Sequence, residues 1–217
     1  MPREKPQNKR AGNAQRGNVA PRKSAPERAS PDGMPGLAAE IERLRHELRK
    51  SAVRIEQLEK SAHEDALTGL LNRRGFEAAF ARTVSYLARY GGDAALLYLY
   101  LDGFKPVNDR FGHAAGDVVL QEIARLLRGS VRGSDMAARL GGDEFALLLL
   151  HIDAAQAEKK ARALEELIKS ASFEFANERP GIGASIGAAT IGGGEALDDV
   201  MQRADAAMYA RKRERKG

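Results

Sequence analysis

The sequence has no cysteine, so neither a disulfide framework nor a thiolate metal site is open to it. It has no apolar run long enough to cross a bilayer. Its first residues lack the apolar stretch of a secretion signal. Together these absences lead to the expectation of a cytoplasmic protein without a membrane span. An excess of charge of one sign is also missing from most of the chain. Residues 1–36 carry eight basic groups (Arg3, Lys5, Lys9, Arg10, Arg16, Arg22, Lys23, Arg28) against three acids (Glu4, Glu27, Asp32), and this excess accounts for the whole formal net charge of +5. No aromatic residue interleaves those basic groups, and no folded nucleic-acid module is visible, so nucleic acid is not an expected partner.

The same 36 residues hold six of the eight prolines and almost no large apolar side chain. Such a segment cannot bury enough surface to offset the entropy lost on ordering, so residues 1–36 read as a disordered basic tail. Residues 37–64 differ. Proline and glycine are absent there, and apolar residues recur at heptad positions: Leu37, Leu44 and Leu58 at one, Ile41, Leu48, Ile55 and Ala62 at the other. Charged residues such as Glu40, Arg43, Glu47 and Lys50 fill the intervening positions. A period of 3.5, interrupted at Ser51, predicts a coiled-coil helix and favours a parallel homodimer over a single amphipathic helix lying on its own domain.

From Asp65 onward helical and strand periods alternate. Phe76, Phe80, Val84 and Leu87 mark one helix, and the run Ala95–Leu101 marks a buried strand. Val119, Ile123 and Leu126 mark a second helix, and Phe145–Leu150 a second strand. A third helix follows at Ala161, Leu164, Ile168 and Ala171. The run Ser185–Ile191 is a strand of small residues, and Leu197, Met201, Ala204 and Met208 mark a last helix. This alternation predicts a sheet with helices packed on it.

Two places suggest chemistry. Asp102-Gly103-Phe104-Lys105 falls where the first strand ends. A strand-to-helix turn there would aim free backbone N–H groups outward beside a lysine, an arrangement that suits phosphate. Gly141-Gly142 precede the second strand, and Asp143 and Glu144 follow at once, so a tight turn would present two carboxylates. Carboxylates near a phosphate site could hold Mg²⁺ against it. On these grounds alone, two acids beside two glycines are also consistent with an ordinary surface turn.

Several motifs in order carry a resemblance. Gly141-Gly142-Asp143-Glu144-Phe145 is similar to the signature of the GGDEF family of diguanylate cyclases. Asp65-Ala66-Leu67-Thr68-Gly69-Leu70-Leu71-Asn72-Arg73-Arg74 resembles that family's opening motif. Leu101 to Asp109 and Phe111 to Asp117 resemble its nucleotide motif. Ser185-Ile186-Gly187 and Ala204-Asp205-Ala206-Ala207-Met208-Tyr209 match later landmarks, so the resemblance covers residues 65–217.

The resemblance implies an α/β (α+β) nucleotidyl-cyclase-like palm domain, with a central, mostly antiparallel sheet flanked by helices. It implies condensation of two GTP molecules to cyclic di-GMP and two pyrophosphates, with Mg²⁺ or Mn²⁺ as cofactor and two domains facing each other. It further implies that Asn108 and Asp117 bind guanine, that Phe104 and Lys105 cradle phosphate, and that Lys212 and Lys216 contact phosphate. Asp143 would bind metal, together with the Leu101 carbonyl and Asp102, and Glu144 would serve turnover with Asp143 and Lys105. Arg132-Gly133-Ser134-Asp135 has the spacing of the family's inhibitory site, where Arg132 and Asp135 would hold the product. One position departs from the pattern: Tyr100 stands where the family places its first metal-binding aspartate, and a neutral phenol is a poor Mg²⁺ ligand. Two readings therefore stand side by side, a product-restrained cyclase and a catalytically weak domain that senses cyclic di-GMP or GTP.

Overall fold

The computed structural model describes residues 33–214, so residues 1–32 of the basic tail and Lys216 lie outside the described residues. The chain falls into two units, one ending at Arg49 and one beginning at Lys50. Helix α1 runs Gly33–His63 and starts a few residues before the boundary that the heptad pattern suggests. Pro35 is compatible with that start, because a first-turn N–H has no intrahelical acceptor to lose. In the first unit Leu37, Ile41, Leu44 and Leu48 are all exposed, and ion pairs Arg43–Glu40 (2.7 Å) and Arg45–Glu42 (2.8 Å) flank them. Exposed pairs of this kind contribute little to stability, roughly 0.5 kcal/mol each.

The second unit continues with α2 (Arg73–Tyr90), β1 (Ala94–Asp102), α3 (Phe104–Phe111), α4 (His113–Ser130), β2 (Met136–Gly141), β3 (Glu144–Leu150), α5 (Ala154–Ser170), β4 (Gly183–Thr190) and α6 (Leu197–Glu214). The four strands form one sheet in the order β2-β3-β1-β4, and every pairing is antiparallel. β1 is central and nearly all apolar because both of its faces are covered. Leu97, Leu99 and Leu101 point to one face, where they join Val119, Ile123 and Leu127 of α4 and Leu164 and Ile168 of α5. Leu96 and Tyr98 point to the other, where they meet Phe76, Phe80 and Val84 of α2 and Val200, Ala204 and Met208 of α6. The expected helices and strands are all present. β2 is an additional strand that residue periodicity did not mark.

Two loops lock the unit's start to the sheet. Asn72 caps α2 by accepting from the Gly75 N–H (2.9 Å), and its amide donates to the carbonyls of Ala62 (3.0 Å) and Glu64 (3.2 Å). Asp65 accepts from the Thr68 backbone and hydroxyl (2.9 and 2.6 Å), and both of its oxygens lie 3.3 Å from Arg139. Arg139 also donates to the Gly142 carbonyl (3.0 and 2.9 Å), so Asp65 indirectly steadies the β2–β3 turn. Partial burial acts to raise the Asp65 pKa, but the Thr68 hydrogen bonds and the Arg139 charge outweigh it and hold the carboxyl below its usual range. A depressed carboxylate stabilises the fold above its unfolded pKa, near 4, and loses that contribution as pH falls through the folded value. Asp65→Asn is therefore expected to cost about 2 kcal/mol at pH 7, and the gap to the parent should shrink toward pH 2. Urea melts at the two pH values measure it, and an equal gap at both would contradict the account.

The sheet edge at β4 is also tied down. Glu165 of α5 accepts from the Ile186 N–H (2.9 Å), and Arg211 of α6 donates to the Ile186 carbonyl (3.0 Å). Arg211 also lies 3.8 Å from Glu165 and pairs with Glu158. The Ile186 peptide groups on this edge strand are thus satisfied by two helices, and the last turns of α6 are held in place.

Candidate functional site

β1 delivers the chain to Asp102, and Gly103 then turns it into α3. Gly103 has φ +82°, and a Cβ there would lie 2.6 Å from the Gly181 carbonyl oxygen, so glycine is required twice over. No side chain caps α3, and the Phe104 and Lys105 N–H groups have no intrahelical acceptor. These first-turn donors border a cleft of about 380 Å³ lined by Tyr100, Asp102, Phe104, Lys105, Ser185 and Lys212, among others. Asp102 is held in it by two groups: the Ser185 hydroxyl donates at 2.6 Å, and the Lys212 ammonium lies 2.8 Å away. Lys212 also sits over the Tyr100 ring, 4.3 Å from its centroid.

One turn along α3, the Asn108 side-chain oxygen is buried and has no hydrogen-bond partner. Gly112 (φ +82°) reverses the chain into α4 and brings Gly116 against that oxygen. A Cβ on Gly116 would come within 2.0 Å of it. Asp117 follows Gly116 and is exposed. An orphaned amide oxygen and an exposed carboxylate are both acceptors, a pair that can read the donor groups of a base edge.

The β2–β3 turn lies next to the cleft because β3 pairs with β1. Gly142 takes φ +48° in the turn, Asp143 follows, and its carbonyl accepts from the Leu101 N–H (3.1 Å). Glu144 is the register partner of Tyr100. Hydrogen bonding between the Tyr100 hydroxyl and the Asp143 carboxylate, with partial burial, pushes the phenol pKa up, so Tyr100 stays neutral at physiological pH. Tyr98 lies two residues back on the same face. Burial, together with its hydrogen bond to Glu144, pushes this phenol up further. Arg73 lies 3.8 Å from Glu144. As a divalent-cation site, the turn offers the Asp143 carboxylate, with Glu144 beside it. That donor set can hold a hard cation with water and phosphate oxygens filling the remaining positions. Tyr100 adds no anionic ligand, and Asp102 is engaged by Lys212 and Ser185.

A second, larger cleft of about 520 Å³ opens beyond α4. Arg132, Asp135, His151, Gln156, Lys159 and Lys160 are among its lining residues. Asp135 holds the turn there: its two oxygens accept from the Arg132 N–H (3.0 Å) and the Leu150 N–H (3.1 Å). Arg132 and Lys159 are exposed. His151 closes β3 with φ +53°, an uncommon conformation for a residue with a Cβ.

A family model described as "Diguanylate cyclase, GGDEF domain" matches residues 62–217. The chain belongs to the GGDEF family. Diguanylate cyclase DgcP of Pseudomonas aeruginosa is 39% identical over 159 residues, which is 73% of this chain and 24% of that protein. Diguanylate cyclase TpbB of the same species is 35% identical over 192 residues, covering 83% of this chain and 43% of TpbB. The chain therefore spans less than half the length of these relatives. The solved coiled coil and GGDEF domain of DgcB from Caulobacter crescentus, in complex with c-di-GMP, superposes with a TM-score of 0.76 at 30% identity. That match covers 82% of this chain and 95% of the other.

Within this GGDEF domain, Leu101, Asp102, Phe104 and Lys105 adjoin Lys212 in one cleft, and the Asp143-Glu144 turn borders it. Asn108 and Asp117 lie outside the cleft lining, on the two helices that Gly112 joins. Arg132 and Asp135 line the separate, larger cleft. Residue motifs alone did not reveal Ser185 as a partner of Asp102, Tyr98 as a partner of Glu144, or His151 and Lys159 as neighbours of Arg132. Strand alternation was the available signal for Tyr98, since it shares a face with Tyr100. Among the described residues no helix is long and apolar enough to cross a membrane.

Proposed function

We propose that this GGDEF domain condenses two molecules of GTP into cyclic di-GMP. The observation that carries this reading is the convergence of the α3 N-terminus and two lysines on one cleft, with the carboxylate-bearing turn joined to it through the pairing of Tyr100 with Glu144. Phe104 and Lys105 would bind the β- and γ-phosphates through backbone N–H groups and an ammonium. Asn108 and Asp117 would hold the guanine edge, using the amide oxygen that the protein itself leaves unpaired. Mg²⁺ or Mn²⁺, held by Asp143 with the Leu101 carbonyl, would neutralise charge on the triphosphate. Glu144 would accept the proton of the attacking 3′-hydroxyl, whose oxygen bonds to the α-phosphorus of the other GTP while the bond to pyrophosphate breaks. Two such events close the ring and release two pyrophosphates.

Each domain offers one such cleft, so the reaction calls for two copies. The exposed stripe of Leu37, Ile41, Leu44 and Leu48 supports pairing through α1, which would raise the effective concentration of the facing domain. Tyr100 limits the rate in this account, because it supplies no anionic metal ligand. Tyr100→Asp is expected to raise cyclic di-GMP output about tenfold or more, measured by chromatography with GTP and Mg²⁺. Equal or lower output would count against the assigned metal position.

The larger cleft supports a second element of the reading. Arg132 is exposed at its rim, where a guanidinium can stack on guanine and clamp phosphate, and Lys159 adds charge. Cyclic di-GMP bound there would restrain activity by holding domains apart. Arg132→Ala is expected to weaken cyclic di-GMP binding at least tenfold by calorimetry, and an unchanged affinity would remove the assignment. Tyr100 favours an alternative in which this cleft dominates and the domain acts as a receptor.

A further inference from the structure

Tyr98 and Tyr100 stand two residues apart on β1, so both phenols lie on the face of the sheet that α2 and α6 cover. In the pairing with β3, Tyr100 is opposite Glu144 and Tyr98 is opposite Ala146, which puts Glu144 on that face too, diagonal to Tyr98. Each acid of the β2–β3 turn thus meets one phenol: Asp143 meets the Tyr100 hydroxyl, and Glu144 meets the Tyr98 hydroxyl. The two phenols differ in their footing. Tyr98 is only 8% exposed and belongs to the core that Phe76, Phe80, Ala204 and Met208 fill, so its hydroxyl is a donor with a fixed position. Two other charged groups act there. Arg73 of α2 is exposed and lies 3.8 Å from Glu144, too far for a hydrogen bond, and Asp205 of α6 acts on Tyr98 through its charge. Among the described residues, Tyr98 is therefore the side chain hydrogen-bonded to Glu144. Burial, together with that hydrogen bond, pushes the phenol pKa up, so Tyr98 remains a donor at physiological pH. Tyr98 does not line the phosphate cleft, so its effect on the reaction passes through Glu144.

We propose that Tyr98 is a positioning residue for the reaction: its buried hydroxyl fixes the Glu144 carboxylate in the orientation from which it takes the proton of the attacking 3′-hydroxyl. The inference rests on the assignment of Glu144 as the proton acceptor. A free glutamate side chain samples several rotamers, and ordering it costs entropy. Glu144 follows a tight turn and its side chain is 36% exposed, so the solvent side does little to order it. A hydrogen bond from a ring locked in the core supplies that order before the substrate arrives, and it leaves the second carboxylate oxygen to accept the proton.

The test is a double-mutant cycle on the full chain with GTP and Mg²⁺, read as kcat and KM for cyclic di-GMP formation. Tyr98→Phe keeps the ring in the core and removes only the hydroxyl. It should lower kcat about tenfold, with KM for GTP within about twofold of the parent. In the Glu144→Gln background the same substitution should change kcat by less than about twofold, because the base that Tyr98 positions is already gone. A purely structural role would act equally in both backgrounds. Circular dichroism melts establish that each variant is folded at the assay temperature, and a Tyr98→Phe chain that does not fold would show that the hydroxyl serves the core and would overturn the inference. A parental kcat in Tyr98→Phe, an equal loss in both backgrounds, or a raised KM in place of a lowered kcat would each overturn it and leave the cyclase reading standing. Glu144→Gln at the parental rate would remove the proton acceptor and the role of Tyr98 with it. No cyclic di-GMP from the parent would overturn the proposed function itself.

Discussion

Glu144→Gln is expected to lower cyclic di-GMP formation by about 10³-fold, the scale of a lost general base. Glutamine keeps the size of the side chain and an oxygen that can accept from Tyr98, so the β2–β3 turn should be undisturbed. What it lacks is the capacity to take the proton of a ribose hydroxyl. Glu144 does not line the phosphate cleft, so nucleotide binding should change little. A loss confined to kcat with unchanged affinity is the signature of a group that acts only in the transition state. Initial rates and nucleotide titrations on the same preparation measure both. A variant that retains more than about a tenth of the parent rate would show that Glu144 is not the proton acceptor.

Gly187→Ala should produce the largest loss of stability from a single methyl group. Gly187 lies in β4 beneath α6, and a Cβ there would fall 1.9 Å from the Ala204 carbonyl oxygen and 2.4 Å from the Met208 nitrogen. Both are backbone atoms, so no side chain can swing away to make room. Either α6 lifts off the sheet or β4 bends, and both disturb the core that Ala204 and Met208 help to fill. Overpacking of this kind costs about 3 kcal/mol, which for a domain of this size lowers Tm by roughly 10 °C. The effect should reach the site as well, because Lys212 follows on the same helix and would be carried away from Asp102. Thermal melts test the first part, and nucleotide binding tests the second. A melting point within a few degrees of the parent would mean that α6 accommodates the methyl group and does not rest on a bare strand.

Much of this arrangement was legible in the residues themselves. Apolar runs marked β1 and β3, and the glycine pair ahead of two acids marked the turn that joins β2 to β3. The break after Leu101 marked the start of α3. β2 was not legible because Met-Ala-Ala-Arg-Leu-Gly shows neither a clear alternation nor a dense apolar run. It is a strand because β3 and the Leu71 backbone offer it hydrogen bonds, and such tertiary pairing overrides weak local preference. Pairings between distant residues were likewise hidden. Lys212 meets Asp102 and Tyr100 only because α6 packs across β4 and β1. Asp135 meets the Leu150 N–H only because β2 and β3 pair in one particular register.

The structural roles of the motif residues also exceed what their spacing suggests. Asp65, in the motif that opens the domain, reaches the turn through Arg139 and so supports the carboxylates from outside. Gly116 and Asn108 depend on each other, since any side chain at 116 would displace the amide oxygen. Asp135 spends both oxygens on the backbone N–H groups of Arg132 and Leu150, so within the larger cleft it shapes the turn that presents Arg132.

The most direct measurement of the central claim is the stoichiometry of product formed from GTP by the full chain with Mg²⁺, after bound ligand has been removed. Chromatography for cyclic di-GMP, coupled to an assay for released pyrophosphate, should find two pyrophosphates for each cyclic dinucleotide. Absence of cyclic di-GMP at every Mg²⁺ and Mn²⁺ concentration, with the nucleotide returned intact, would contradict it.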